Sequence, residues 1–538
     1  MRVNKKSYFF VIVMALVSFF FYNTATPTDI MEVRNLVAAH EMATEGHIMV
    51  PRMNGDLRLE KPPLPTWVAG AIDYVYPDNM SAQRVAAGVM GCVWTFFLYL
   101  FALRLSRRRY YAVITTVVFL TCYQIVLMGR SATWDIYCHA LMMGGIYYLY
   151  CGLTSDLGQR WKWFTLAGVM MGLSYMSKGP VSFYALLLPW LIASVADPRV
   201  SARGKWDALA LMVVLTIVIG GWWYANLYIF HYDAIQAVLA KETGAWANHN
   251  TRPWWYYWRF FTETGVWTVV TFASLFAFYW KRNINDARSY LFGVTWMVAA
   301  LVLLSLMPEK KIRYLLPMMA PCSLCVASIM DHCGVGRDKW SRIVYLVNGY
   351  IVAIIPLAVP VALYFFKMYS LTKLLVVMPL FVAIDVWLLI SVRRIRPTQF
   401  VMAVGAVFML TELTVLGDIG RLFVNPDRHG IAAVRSMPAL NKVAFYHPAT
   451  EDIRIEMVYE AGRKIRPIDV TSVDSVRRHL PMVLVSQKGV ASYMPPAVLA
   501  TVDTTLIDTY DDNRHPKGNK HYNRAFHNQV TLIKAKTK

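Results

Sequence analysis

The chain is 538 residues long, 57% hydrophobic and only 16% charged, a balance foreign to soluble domains. It is the composition of a polytopic membrane protein. The net charge of +21 does not point to nucleic acid, because the lysines and arginines recur loop by loop and no basic patch is interleaved with aromatics.

Apolar runs able to cross a bilayer lie at roughly 7–23, 82–103, 110–128, 134–152, 163–176, 180–195, 207–229, 264–280, 289–306, 314–330, 343–366, 374–392 and 398–417, about thirteen in all. The pair 163–176 and 180–195 is short and separated only by SKGP, which reads either as a helical hairpin or as one broken helix. Lys5 and Lys6 precede the first run, Arg107, Arg108 and Arg109 follow the second, and Arg160, Lys162, Arg199, Arg203, Lys205, Lys281, Arg282 and Arg288 continue the pattern in alternate loops. Such alternation places the N-terminus in the cytoplasm, and an odd number of spans places everything after about residue 418 on the external face. The seven cysteines avoid the external tail, so a disulfide framework is not expected, and Cys322 with Cys325 reads as packing inside an apolar run.

The expected organisation is a transmembrane domain over 1–418, with external loops at 24–81 and 230–263, and a small α/β domain over 419–538. In the first loop VRNLVAAHEM has helical spacing. The second holds AWANHNTRPWWYYWRFF, whose rings suit an interfacial anchor. In the tail VAFYHPA and MVLVSQ read as short buried strands and IRIEMVYEAG as a helix.

Ionisable side chains at a membrane boundary are costly, so those outside the positive loops are functional candidates. The set is Asp29, Glu32, Arg34, Glu60, Lys61, Arg84, Arg130, Asp135, Lys178, Glu242, His249, Lys310, Lys311, Arg313 and Tyr314. Two cationic clusters stand out, Arg34 with Lys61 and the run MPEKKIRYLLP, residues 307–317. In RLEKPPLPTW, residues 58–67, Lys61 precedes two prolines that restrict its backbone. Cations with a tyrosine hydroxyl suit a lipid phosphate, whose oxygens take charge-assisted hydrogen bonds.

The run EVRNLVAAHEMATEGHIMVPRMNGDLRLEKPPLPTW (32–67), followed in order by GRSATWD, LSYMSKGP, HNTRPWWYY and KKIRYLLP, resembles the 4-amino-4-deoxy-L-arabinose transferase family. These are GT-C type lipid-linked glycosyltransferases related to protein O-mannosyltransferases. The resemblance covers most of 1–320 and implies an inverting enzyme of the bacterial inner membrane. Such an enzyme moves a sugar, aminoarabinose-like or related, from polyprenyl phosphate to lipid A or another glycolipid, with the tail domain periplasmic.

Carried over by position, it implies catalytic roles for Asp135, Glu32, Lys61 and Arg34, with the donor phosphate held by Lys61, Arg34, Tyr314 and Arg313. Glu60 and His249 would occupy a divalent-metal position. The chain departs from the family at Met31, where an acid usually stands before Glu32. Asp29 is a poor substitute on a helix, being about 200° around from Met31. The alternatives are a protein O-mannosyltransferase-like enzyme, and a flippase or non-catalytic lipid-phosphate-binding protein that would need neither Asp135 nor Glu60.

Overall fold

The computed structural model describes residues 5–334, 338–420 and 425–536, with the side chains of 245–247 excepted. The chain divides into two compact units: Met1–Thr26 with Leu59–Pro65 and Met80–Asp418, and Pro27–Arg58 with Thr66–Asn79 and Ile419–Lys538. Residues 24–81 are therefore shared between both units.

The first unit is helical, as backbone surrounded by hydrocarbon must be, since every N–H and C=O has to be satisfied within the chain. Among the described residues seven helices are long and apolar enough to cross a membrane, or nine if each of two bent pairs is one span. The seven correspond to the runs beginning at 82, 207, 289, 314, 343, 374 and 398. Those at 110 and 264 fall on the bent pairs, which turn by 71° and 72°. The other four of the thirteen are also helical: Lys5–Phe20, Trp134–Thr154, Arg160–Lys178 and the stretch Phe183–Val195. They miss the span criteria because they are shorter or more polar.

Within this unit Trp134–Thr154 packs against both Met80–Ser106 and Arg160–Lys178, and the latter packs against Trp206–Phe230. Small residues permit the approach. A Cβ on Gly168 would stand 2.7 Å from the Met212 carbonyl oxygen. The SKGP break falls where Arg160–Lys178 ends: Gly179 takes φ +66°, and Pro180 follows. Ser174 and Ser182, on either side of it, are hydrogen-bonded at 2.7 Å.

Two of the candidate cations bind backbone carbonyls. The Arg130 guanidinium donates to the carbonyls of Val17, Ser18, Phe21 and Tyr22 at 2.6–3.2 Å, satisfying the end of the first helix. Arg84 donates to the carbonyls of Asn23 and Thr26 at 2.9 and 2.8 Å. A guanidinium that spends its donors on backbone oxygens is a clamp on the chain.

The second unit is built on a five-stranded sheet. A hairpin of β1 (Arg52–Met53) and β2 (Asp56–Leu57) comes first, then β3 (Ala444–Pro448), β4 (Ile465–Ile468), β5 (Met482–Ser486), β6 (Val502–Asp511) and β7 (His527–Ala535). The sheet order is β4-β3-β5-β7-β6, with β3 parallel to β4 and β5, and β7 antiparallel to β5 and β6. Every residue of β5 is buried, and its side chains alternate between two cores. Val483 and Val485 join Phe445, Met457 and Val530 on one face, while Met482 and Leu484 join Ile468, Val476 and Ile533 on the other. This is why MVLVS reads as a continuous apolar run.

The helix expected from VRNLVAAHEM is Ile30–Glu45, and it lays Val33 and Val37 on the first of those cores. Asp29 caps it, its carboxylate accepting the Met31 N–H at 2.6 Å. The β1–β2 turn is Asn54-Gly55 with both φ positive, the geometry an Asn-Gly hairpin favours. Glu41 receives the N–H groups of both turn residues, and Asn54 exchanges side-chain hydrogen bonds with the Ile465 backbone. The predicted tail helix forms over Ile455–Ala461.

Candidate functional site

In the helical unit the buried carboxylate of Asp135 stands in the first turn of Trp134–Thr154, where the positive end of the helix dipole favours an anion. It is ion-paired with Lys178, the last residue of Arg160–Lys178, where the opposite dipole end favours a cation. Both side chains are almost wholly buried. Arg313 is a further electrostatic neighbour of Asp135, and Tyr314 lies in the field of both Arg313 and Asp135.

The motifs HNTRPWWYY and MPEKKIRYLLP are joined through backbone. The Arg252 N–H donates to the Pro308 carbonyl at 3.3 Å, the Lys310 N–H to the Asn250 carbonyl at 3.1 Å, and Thr251 bridges to Glu309. The Tyr257 hydroxyl donates to the Lys311 carbonyl at 3.1 Å and accepts the Lys311 N–H at 2.9 Å. Gln124 secures the next turn, donating to the Ile312 carbonyl and to Glu263, each at 3.1 Å.

At the centre of this junction is Glu309, which sequence reading did not single out. Its carboxylate accepts the Tyr314 hydroxyl at 3.0 Å, pairs with Lys311 at 2.5 Å and faces His249 Nδ1 at 3.6 Å. Burial acts to raise its pKa, but Lys311, Tyr314 and His249 outweigh that and hold it below the ordinary glutamate value. The signal in the sequence was an acid directly before two lysines, visible only as one member of a charged run.

Lys61 precedes Pro62 and Pro63, both buried, and its ammonium pairs with Glu242 at 3.3 Å. Glu242 belongs to the helix Tyr232–Asn248, which runs directly into His249. Glu60 keeps one carboxylate oxygen, Oε2, buried with no hydrogen-bond partner. His249 is 65% exposed, with Nδ1 turned to Asn250 at 2.9 Å as well as to Glu309. As metal ligands, Glu60 and His249 do not form part of any group of three donors within 4.8 Å among the described residues. A catalytic zinc takes three protein ligands, so this pair falls short of that donor set.

Glu32 and Arg34 belong to the second unit. Glu32 is fully buried in the first turn of Ile30–Glu45. The Arg34 guanidinium has one nitrogen 4.0 Å from the Met31 sulfur, and its Nε is buried without a partner. Asp29, two positions before Met31, accepts the Met31 N–H on Oδ1 as the cap of this helix.

The family described as dolichyl-phosphate-mannose-protein mannosyltransferase matches residues 60–224. Among curated relatives, the undecaprenyl phosphate-alpha-4-amino-4-deoxy-L-arabinose arabinosyl transferase of Shewanella sediminis is 22% identical over 62% of this chain and 61% of its own length. The enzyme of that name from Erwinia tasmaniensis is 26% identical over 55% of this chain and 54% of its own. The match thus takes in between half and two thirds of these relatives. The crystal structure of ArnT from Cupriavidus metallidurans bound to undecaprenyl phosphate superimposes with a TM-score of 0.72 at 16% identity, covering 98% of both chains. The chain is a multi-pass membrane protein that resembles the 4-amino-4-deoxy-L-arabinose transferase family in sequence, and shares the GT-C type fold of such a transferase over nearly its whole length.

Proposed function

We propose that the protein is an inverting glycosyltransferase that moves one sugar from a polyprenyl phosphate carrier to a lipid A phosphate or another glycolipid on the external face of the bacterial inner membrane. The observation that carries this reading is Asp135, an acid buried against Lys178 at one end of a membrane helix with Arg313 in its field. A protein that only held or flipped a lipid phosphate would need the cations and not the acid.

In the reaction the bond between the sugar's anomeric carbon and the phosphate oxygen breaks, and a phosphodiester leaves as a monoester with one more negative charge. Preorganised cations where that charge develops lower the barrier. Lys61 is suited to this role because two buried prolines restrict its backbone and one acid orients its ammonium. Arg313 and Tyr314 are proposed as further phosphate ligands, with Glu309 holding the Tyr314 hydroxyl. Asp135 is proposed to orient the sugar or the acceptor. For Arg34 and Glu32 the proposed roles, phosphate ligand and site acid, rest on the resemblance in sequence.

Met31 bears on the acceptor. A hydroxyl acceptor must lose a proton as it attacks, whereas a phosphate is already an anion and needs no general base. With Met31 at the family's acidic position, a phosphate acceptor is the reading favoured. The mannosyltransferase family match over 60–224 favours a protein hydroxyl as the second reading. A divalent cation at Glu60 and His249 is proposed only as a loosely held ion, and no step passes through it. Incubating purified protein with a panel of polyprenyl phosphate sugars and with lipid or peptide acceptors tests these readings together.

A further inference from the structure

The helix Trp134–Thr154, with Asp135 in its first turn, is 21 residues long, about 30 Å at 1.5 Å per residue, roughly the thickness of a bilayer's hydrocarbon core. At its far end lies a cavity of about 410 Å³ that the proposed transfer does not use. Its wall combines Leu100, Leu103, Tyr147 and Thr154 with Arg104, Arg107 and Arg199.

Among the described residues neither Arg104 nor Arg107 makes an ion pair with an acid. Arg104 is held by neutral partners, donating to Thr154 Oγ1 at 3.2 and 3.3 Å and to Ser155 Oγ at 2.9 Å. Arg107 follows the helix Met80–Ser106 in a left-handed conformation, φ +59°, with its N–H on the Leu103 carbonyl at 2.8 Å. A non-glycine residue there carries a backbone cost, and it sets the side chain at the edge of the cavity. Arg199 is the one of the three already balanced, by Asp197 at 2.9 Å. Three guanidinium groups thus face one acid, in a hollow whose remaining wall is leucine, tyrosine and Thr154.

We infer that this cavity binds the phosphate headgroup of an anionic glycerophospholipid, at the opposite membrane face from Asp135. The guanidinium groups take the phosphate oxygens, which suit their planar donors, and the leucine and tyrosine wall takes the start of the acyl chains. A free phosphate shares the charge chemistry but has nothing to place against the apolar wall. The inference does not depend on the transferase reading.

The test uses the full chain in nanodiscs containing phosphatidylglycerol and phosphatidylcholine, with retained lipid counted by native mass spectrometry after release into detergent. Wild type retains phosphatidylglycerol in preference to phosphatidylcholine. Arg107→Gln, which loses no side-chain partner and so threatens the fold least, weakens that retention by about fivefold. Arg104→Gln combined with it weakens retention by about fivefold again, the expectation for one basic residue near a lipid surface each time. Retention unchanged in Arg107→Gln and in the double variant overturns the site. Displacement of the lipid by glycerol phosphate as effectively as by phosphatidylglycerol overturns the lipid assignment, because it would make the cavity a soluble-phosphate site.

Discussion

Asp135 and Lys178 form a buried ion pair between the first turn of one helix and the last residue of the next, in the helical unit. Removing one partner of such a pair leaves an unbalanced charge and typically costs about 3–5 kcal/mol. Asp135→Asn removes the charge and keeps the shape. The account expects it to cut transfer more than Glu32→Gln does, measured as turnover on protein that still elutes as a folded monodisperse species. Asp135→Asn with Lys178→Met in the same chain should regain stability without regaining turnover, which separates the chemical role from the structural one. Equal turnover losses for Asp135→Asn and Glu32→Gln would remove Asp135 from its proposed place.

Lys61→Ala should abolish transfer while leaving the protein inserted and folded. A charge-assisted contact is worth about 1.5–3 kcal/mol, and more where charge develops in the transition state. The loss is therefore about tenfold at the least. Turnover near the wild-type level in well-folded variant protein would take Lys61 out of the mechanism.

The second unit carries a pH dependence of its own. The hydrogen bond that His40 Nδ1 donates to the Asp73 carboxylate, at 2.9 Å, raises the His40 pKa above its ordinary value, against the opposing effect of burial. Asp78 adds to the rise and Arg435, itself paired with Asp78 at 3.0 Å, works against it. A raised folded-state pKa means the protonated form is stabilised by folding. The contribution is complete below the unfolded value of about 6.5 and is lost as the pH climbs through the higher folded value. Thermal unfolding of the wild type should therefore shift downwards between about pH 6 and pH 8 relative to His40→Gln. A difference between the two proteins that stays constant over that range would refute the assignment.

Much of this architecture is legible in the sequence, because thirteen apolar runs and the fully buried MVLVS leave little choice. The other strands hide for local reasons. β6 is mostly polar, VDTTLIDTYD, with only Val502 and Tyr510 buried, and β4 contains Pro467, so neither shows the apolar pattern of a buried strand. Among the proposed site residues, Asp135 and Tyr314 are visible as ionisable or hydroxyl groups at the ends of apolar runs, and Lys61 as a cation placed before two prolines. Arg84 and Arg130 look equally promising there, yet they bind backbone carbonyls, partners that a sequence does not display. Glu309 escapes for the converse reason: its importance lies in which groups meet on it, and those come from a loop about sixty residues earlier as well as from its own.

Chelation should strip any divalent ion at Glu60 and His249 and leave transfer unchanged. Two protein ligands, one of them on a largely exposed histidine, fall short of the three that a catalytic zinc takes. Metal content and rate measured on the same sample decide it: a rate that falls with the metal and returns on its replacement would give the ion a role in the chemistry.

The central claim is that the site performs transfer to an acceptor that is already an anion. The direct measurement gives purified protein one labelled polyprenyl phosphate sugar and matched lipid acceptors that differ only in carrying or lacking the phosphate. The account predicts that label moves to the phosphorylated acceptor, that Asp135→Asn loses this, and that Met31→Asp changes the rate little. Efficient transfer to a free hydroxyl of the dephosphorylated acceptor would contradict it and return Asp135 or Glu32 to candidacy as a general base. Stoichiometric donor binding with no transfer to any acceptor would contradict the enzyme reading altogether.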